Sequence, residues 1–327
     1  MRADADLIKR ITGGAVKVEE TSKGLLFHRF SEEQRAVYDS NPPFRQKTYA
    51  DSGIRMEFVT DAESLRLRGG AEKSSSRYFY YFDATVDGVL VAHTGCESCL
   101  EDPEFDFDIP LGGGKQRKHV TLYFPCLTRI ELGELEFAGA TAVEPVKRGR
   151  RLLCLGDSIT QGYDSRYPSL AYTNRIADML GAEVVNKAIG GDRFNPALAA
   201  LPDETGYDLI TVGYGTNDWR HHTREKLQND SREFFANLRS SYPHTPIAAI
   251  LPIWRHNWDL VTEAGTFAEA TRIIREAAGM IDNVTVIDGT TLTPHLKSFY
   301  SDGLHPNEFG FMFYTENLYR ALPEQLK

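Results

Sequence analysis

From Arg150 to Leu322 the chain alternates between short apolar runs and longer amphipathic stretches, and few folds accommodate that rhythm. "RLLCLG" (151–156) is apolar at consecutive positions, as expected of a strand buried on both faces. "PSLAYTNRIADMLG" (168–181) has helical spacing and stops at Gly181. "AEVVNKAIG", "YDLITVGYG", "PIAAILPI" and "NVTVIDG" then read as strands. "TREKLQNDSREFFANLRSSY", "FAEATRIIREAAGMI" and "NEFGFMFYTENLYRAL" read as helices, the first with Leu227, Phe234 and Leu238 on one face. Parallel strands need crossovers, and crossover helices cover the sheet, so the pattern predicts an α/β unit with helices on both faces of a parallel sheet.

The first half has a different rhythm. From Lys23 to about Val143 the chain reads as short strands, among them "GIRMEFVT", "SLRLRG", "YFYYFDATVDG", "VLVAHTG", "HVTLYFP" and "RIELGELEFAG". Alternation and frequent turn residues predict an antiparallel sandwich, with Asp87-Gly88 as a hairpin turn. "FDFDIPLGGGKQRKH" (105–119) reads as a second hairpin with a solvated basic tip. "VKRGR" (146–150) is a charged connector, which divides the 327 residues into a sandwich domain, 1–147, and an α/β domain, 148–327.

Composition narrows the classes of function. A formal charge of −9 argues against a broad surface for nucleic acid. No window approaches the roughly 20 apolar residues of a membrane span. "MRADADLIKRITGG" lacks the apolar core of a secretory signal, so a cytoplasmic location is expected. Cys96 and Cys99 form one C-x-x-C without a second pair or a histidine at finger spacing, and with Cys126 and Cys154 they read as free thiols.

"LCLGDSITQG" (153–162) places Ser158 where the first parallel strand ends, the edge at which open α/β sheets gather their sites. An Asp-Ser there is commonly a helix cap. The run lacks the lysine of a phosphate loop, and Thr160 breaks the G-x-S-x-G elbow. A nucleophilic serine needs a base, an orienter and oxyanion donors. Later strand ends supply candidates: the glycines of "GGDRF" (190–194), Asn217 in "TNDW", and Asp302 with His305 in "YSDGLHPNEFG".

That order resembles the SGNH hydrolases, also called the GDSL family. Gly156-Asp157-Ser158 matches the first block, Gly191 in "IGGD" the second, Gly215-Thr216-Asn217-Asp218 the third and Asp302-Gly303-Leu304-His305 the last. Ile159 stands where many members have leucine, and Gly190 leaves the glycine assignment ambiguous by one residue. The resemblance covers about residues 150 to 325. It implies a three-layer α/β/α, flavodoxin-like domain, here preceded by a jelly-roll-like sandwich. It implies acyl transfer through Ser158, with His305 as base and Asp302 as its orienter. The oxyanion donors would be the N–H groups of Ser158 and Gly191 and the side chain of Asn217. No metal or organic cofactor is implied.

Two-domain family members include esterases that deacetylate polysaccharides, and an acyltransferase of the same plan. The expected substrate is therefore a small-molecule or oligosaccharide ester with a short, acetyl-like acyl group. Transfer to an alcohol acceptor is the alternative. A binding protein on this scaffold, or a sugar-binding sandwich with a passenger catalytic half, is the competing class. Asp157, Trp254 and Arg255 are candidate substrate contacts, with Trp258 beside them, because aromatic planes suit sugar rings. Asp192 and Asp218 are candidate braces of the oxyanion loops, and His221-His222 reads as exposed. If the sandwich only walls the site, its removal should impair use of acetylated sugars more than of a small aryl acetate.

Overall fold

The computed structural model describes residues 1–112, 114 and 116–327 and sets two antiparallel sheets ahead of a parallel one. One antiparallel sheet orders Lys17–Glu20, Leu25–His28, Thr128–Ala138, Ser64–Lys73 and Glu104–Pro110. The other orders Thr12–Gly13, Arg55–Thr60, Lys118–Tyr123, Tyr80–Val86 and Val89–Cys96, with Val143–Pro145 also paired to Arg55–Thr60. Alternation sets the facing: Leu65 and Leu67 are fully buried, while the exposed Arg66 and the partly buried Arg68 bond Asp106 on the outside. Phe58, Phe82 and Leu122 meet Leu65, Ile130 and Phe137 in one core, with the Phe58 and Phe137 rings edge to face at 5.2 Å. This is the β-sandwich.

Asp87 and Gly88 both take positive φ and join two paired strands, as a two-residue hairpin requires. The expected hairpin over 105–119 is instead a crossover. Glu104–Pro110 pairs with Ser64–Lys73, whereas Lys118–Tyr123 lies in the other sheet. Lys118, buried, donates to the carbonyls of Gly112 and Gly114 and so anchors the connection. Gly113 and Lys115 of the expected basic tip lie outside the described residues. The segment 29–51, expected among strands, carries short helices at Glu32–Ala36 and Pro42–Lys47, each opened by a side-chain cap from Ser31 or Asn41. The four cysteines are free thiols, with Cys99, Cys126 and Cys154 buried.

The parallel sheet orders Ala182–Asn186, Arg150–Gly156, Leu209–Gly213, Ile247–Ile250 and Val284–Ile287. In chain order this is 2-1-3-4-5, the flavodoxin-like arrangement, and its switch point lies between the first strand and its neighbours. Tyr172, Ile176, Phe311 and Leu318 cover one face. Leu227, Phe234, Leu238 and Ile274 cover the other. Two strands end earlier than their apolar runs suggest. Asn186 turns its amide to Ser52 Oγ and Thr160 O and its carbonyl to the Ala188 N–H, which pulls the chain out of the sheet. Pro252, with no N–H, follows Leu251 beyond the fourth strand. No helix among the described residues is long and apolar enough to cross a membrane.

The two halves share polar and apolar contacts. Phe30 and Tyr38 of the first half pack into the core beside Val185, Ile189 and Phe194. Arg29, fully buried, gives Nε to Ala50 O, Nη2 to Lys47 O at 3.1 Å, and Nη1 to Asn186 O and Ala188 O. Arg55 bonds Asp178 at 2.8 Å and Ala182 O at 2.6 Å. Arg148, in the connector, bonds both Glu57 and Asp178. An unpaired buried acceptor costs about 1–3 kcal/mol. Arg29→Met is therefore expected to lower the free energy of unfolding by about 3 kcal/mol or more, read by urea denaturation. A loss under about 0.5 kcal/mol would mean that water replaces the guanidinium. Residues 148–327 produced alone should show no cooperative unfolding transition, because Asn186 O, Ala188 O and Ala182 O lose their partners.

Candidate active site

Ser158 opens a four-residue helix at the end of the first parallel strand, and Asp157 caps that helix by accepting from the Ile159 N–H at 2.9 Å. Asp157 thus serves the turn and is buried. From the loop before the last helix, His305 brings Nε2 within 2.8 Å of Ser158 Oγ. Its Nδ1 lies 2.8 Å from Asp302 Oδ2, while Asp302 Oδ1 accepts the backbone N–H groups of Leu304 and His305. Partial burial pushes the Asp302 carboxyl up, but the His305 ring and those two N–H groups outweigh it and hold Asp302 well below the usual carboxylate range. Asp302 is thereby an anion aimed at one ring nitrogen, and Ser158 Oγ sits at the other.

The two loops that approach the serine are cross-braced. The Gly190 N–H donates to Gln161 Oε1 at 2.6 Å, on the helix that Ser158 begins. The Ser158 and Gly191 N–H groups donate to nothing among the described residues. Of the two glycines, Gly191 has the N–H without a partner among the described residues. Its φ of +85° is one that L side chains rarely adopt. Asn217 Nδ2 donates to Asp192 O at 3.0 Å, leaving its second N–H free. Gly215, at φ +118°, starts that short helix, and a Cβ there would lie 2.4 Å from Ile274. Asp218 accepts the Phe194 N–H at 3.1 Å, and Asp192 accepts Tyr38 Oη–H at 2.7 Å, so both brace the loops.

The remaining expected contacts separate. Arg255 is buried and turned inward, donating to Thr216 O and Oγ1 beside Asn217 and lying over the Trp219 ring. Trp254 points elsewhere, stacking on His295, and with Trp258, Phe267, Thr271 and Arg272 lines a cavity of about 430 Å³. His221 is exposed as expected, but His222 is buried beside Arg193 and pushed down to about 4, chiefly by burial. Its burial follows from closing the helix Thr216–His221 against Asp218 and Asp230.

Five residues at the site carry no sequence signal. Asp164 lies 3.7 Å from His305 Nδ1, and Arg77 of the sandwich bonds Asp164 through Nε and Nη2. Tyr163 stacks on the His305 ring. Phe44 and Lys47 close the space beside Gly191, with atoms 3.5 and 3.6 Å from where a Cβ would be. All five are single residues in turns or short helices, and only the tertiary fold brings them in.

Residues 154–311 match the family model described as GDSL-like Lipase/Acylhydrolase, so the second half of the chain is a GDSL-like lipase/acylhydrolase domain. No curated protein sequence matches the chain significantly. Among solved structures, the salicylyl-acyltransferase SsfX3 from a tetracycline biosynthetic pathway is similar at TM-score 0.81 and 22% identity, over 95% of this chain and 93% of that one. A Bacteroides ovatus structure described as a GDSL-like lipase aligns at TM-score 0.79 and 16% identity, over 96% and 95%. A family two carbohydrate esterase from Clostridium thermocellum, in complex with cellohexaose, aligns at TM-score 0.66 and 16% identity, over 84% and 93%. At these identities the likeness shows the fold alone: a parallel-sheet α/β domain with a β-sandwich ahead of it.

Three buried carboxyls stand behind the loops. Burial pushes Asp157 up to about 6, Asp192 up to about 7 and Asp218 up to about 8, and Asp157 further raises the other two. Asp218 Oδ2 has no partner. An aspartate unfolded titrates near about 3.9, so a folded value near 8 means that the native state holds the proton more tightly. The resulting stabilisation is complete below about pH 4 and is lost as pH rises through the folded value. Asp218→Asn cannot ionise. Its stability relative to the unsubstituted protein is therefore expected to rise steadily from about pH 5 to about pH 9 in urea titrations. A difference that is flat or falls with pH would contradict a protonated Asp218.

Proposed function

We propose that the protein is a serine esterase that cleaves short acyl esters, acetyl above all, on a carbohydrate-like alcohol. The observation that carries this reading is the chain Ser158 Oγ, His305 Nε2, His305 Nδ1, Asp302 Oδ2, with both contacts at 2.8 Å. His305 takes the Ser158 proton as Oγ attacks the ester carbonyl. Asp302 holds the ring and stabilises the imidazolium. The N–H groups of Ser158 and Gly191 and the free N–H of Asn217 receive the oxyanion. His305 then protonates the leaving alcohol, and water releases the acid by the same steps in reverse. The residues require no metal or organic cofactor for this chemistry.

The short acyl group is supported by the esterase neighbours, and Phe44 and Lys47 stand at contact distance beside Gly191. The carbohydrate-like alcohol is supported by the esterase neighbours and by Arg77, a partly exposed charge beside Asp164 and Asp302. Transfer to an alcohol acceptor is the second reading. The acyltransferase neighbour, aligned over 95% of this chain, favours it. The sandwich, 1–147, contributes Tyr38, Phe44, Lys47 and Arg77 to the site, so its removal should cost aryl acetate and acetylated sugar alike.

Ser158→Ala is expected to abolish ester turnover with the fold intact by circular dichroism. Asn217→Ala should lower kcat by about 10² to 10³, the loss usual for one oxyanion donor, with a smaller change in KM. An ester series from acetyl to octanoyl, run with and without an alcohol acceptor, tests the acyl and acceptor assignments. Substantial turnover by folded Ser158→Ala would refute the serine mechanism. An octanoyl preference would refute the short-acyl assignment, and a new ester formed faster than acid release would establish transfer.

A further inference from the structure

The imidazole of His305 is held by more than the orienter expected of it. On the side of Nδ1 stand two carboxylates, Asp302 at 2.8 Å and Asp164 at 3.7 Å. The Asp164 side chain is 11% exposed against 43% for Asp302, so water screens Asp164 less. Asp164 adopts φ +63°, a conformation uncommon outside glycine, three residues after the helix that Ser158 begins. Arg77 holds it there with a fork of two bonds, 2.6 and 3.0 Å, and the same guanidinium reaches to 3.9 Å from Asp302. Tyr163 completes the enclosure. Its ring stacks on His305 at 5.3 Å, lies under Arg77, and its hydroxyl meets Ser76 of the sandwich at 3.2 Å.

We propose that Asp164 is a second carboxylate for His305, and that Arg77 of the sandwich is the positioning residue that aims it. This rests on the reading of His305 as the base of the Ser158 reaction. The catalytic half supplies the serine, the histidine and both carboxylates, and the sandwich sets how much of their negative charge the ring feels. When Ser158 loses its proton, the imidazolium forms between Asp302 and Asp164. Arg77, bonded to one and near the other, keeps the pair from overstabilising it and holds Asp164 within reach of Nδ1. The other charged or titratable groups facing this cluster are Asp157 at the end of the first strand, Tyr163, and Arg255 from the loop beyond the fourth strand. None of these three contacts Nδ1.

The geometry sets opposite expectations for the two partners of one ion pair. Asp164→Asn removes negative charge beside the ring, so the acid limb of kcat/KM against pH should move to lower pH. Arg77→Met removes positive charge from the same cluster, so the limb should move to higher pH. A role confined to holding the turn in shape would move both limbs the same way or neither. The second carboxylate also predicts partial redundancy. Asp302→Asn should retain at least about ten times the kcat of Asp302→Asn combined with Asp164→Asn, while KM for a small aryl acetate changes little.

The full-length variants, checked for unfolding transitions matching the parent, are assayed with the aryl acetate from about pH 5 to 9, alongside Ser158→Ala. Opposite limb shifts together with the tenfold gap support the proposal. Limb shifts in one direction, no shifts, or a double variant no slower than Asp302→Asn overturn it. If Arg77→Met proves unstable, Arg77→Lys takes its place: a single ammonium keeps the charge but not the fork, and should leave the limb near its parental position while lowering kcat. Should Ser158→Ala remain active, the functional reading fails, and it does so independently of how the Arg77 and Asp164 variants behave.

Discussion

A buried guanidinium holds the two halves of this protein in register. Arg29 finds no carboxylate within hydrogen-bonding distance among its recorded partners; it finds four backbone carbonyls, two from the turn at 47–50 and two from the chain leaving the second parallel strand. Burial pushes it down to about 10, still far above neutral pH, so it remains a cation. Carbonyls on both sides of the seam can then be satisfied only when both sides are in place. The chain it holds on the second side runs directly into Gly190 and Gly191. On the first side, Lys47 sends its ammonium to the Gly190 carbonyl, and Tyr38 sends its hydroxyl to Asp192. The loop that carries Gly190 and Gly191 is therefore shaped from outside the domain that contains it.

This arrangement explains which features were readable in the sequence. The parallel sheet was legible because each strand is buried on both faces and reads as an apolar run, and each helix carries a cap or a glycine stop. Ser158 and Asn217 follow parallel strands, and Asp302 and His305 lie in the loop before the last helix, so chain order alone suggested that the four could meet. The choice between Gly190 and Gly191 was not legible, because it depends on which N–H the Gln161 side chain takes. The direction of Arg255 was not legible either. Next to a tryptophan beyond a strand it reads as pocket lining, yet consecutive residues point apart, and Trp254 takes the cavity while Arg255 takes Thr216. The 105–119 segment misled for a related reason. Two strands joined by glycines suit a hairpin, but a sandwich also needs connections that change sheets, and no local pattern distinguishes the two.

The seam residues were illegible in a deeper sense. Arg29, Tyr38, Lys47 and Arg77 fall in stretches of ordinary polar composition, and their partners lie 87 to 159 positions away. Their role exists only once a second domain is packed against them. The boundary drawn at the charged connector marks a change of rhythm in the sequence. It is a poor guide to independence, since Arg148 within that connector itself bonds Glu57 on one side and Asp178 on the other.

The carboxyls behind the loops show how such a seam bears on chemistry. An oxyanion backed by ionised carboxylates would be opposed by their field, and at low local dielectric that opposition would be severe. The Asp192 carboxyl accepts from the Tyr38 hydroxyl and the Asp218 carboxyl from the Phe194 N–H, so neither can be replaced by an apolar group without losing those hydrogen bonds. Burial resolves the conflict by raising both: Asp218 up to about 8 and Asp192 up to about 7, so that the carboxyls keep their geometry while much of their charge is suppressed near neutral pH. That burial comes partly from the first half, because Tyr38 caps Asp192 and packs against Phe44. Sealing the seam is thus an electrostatic act as well as a structural one: the same contacts that position the donors also remove the charge that would work against them.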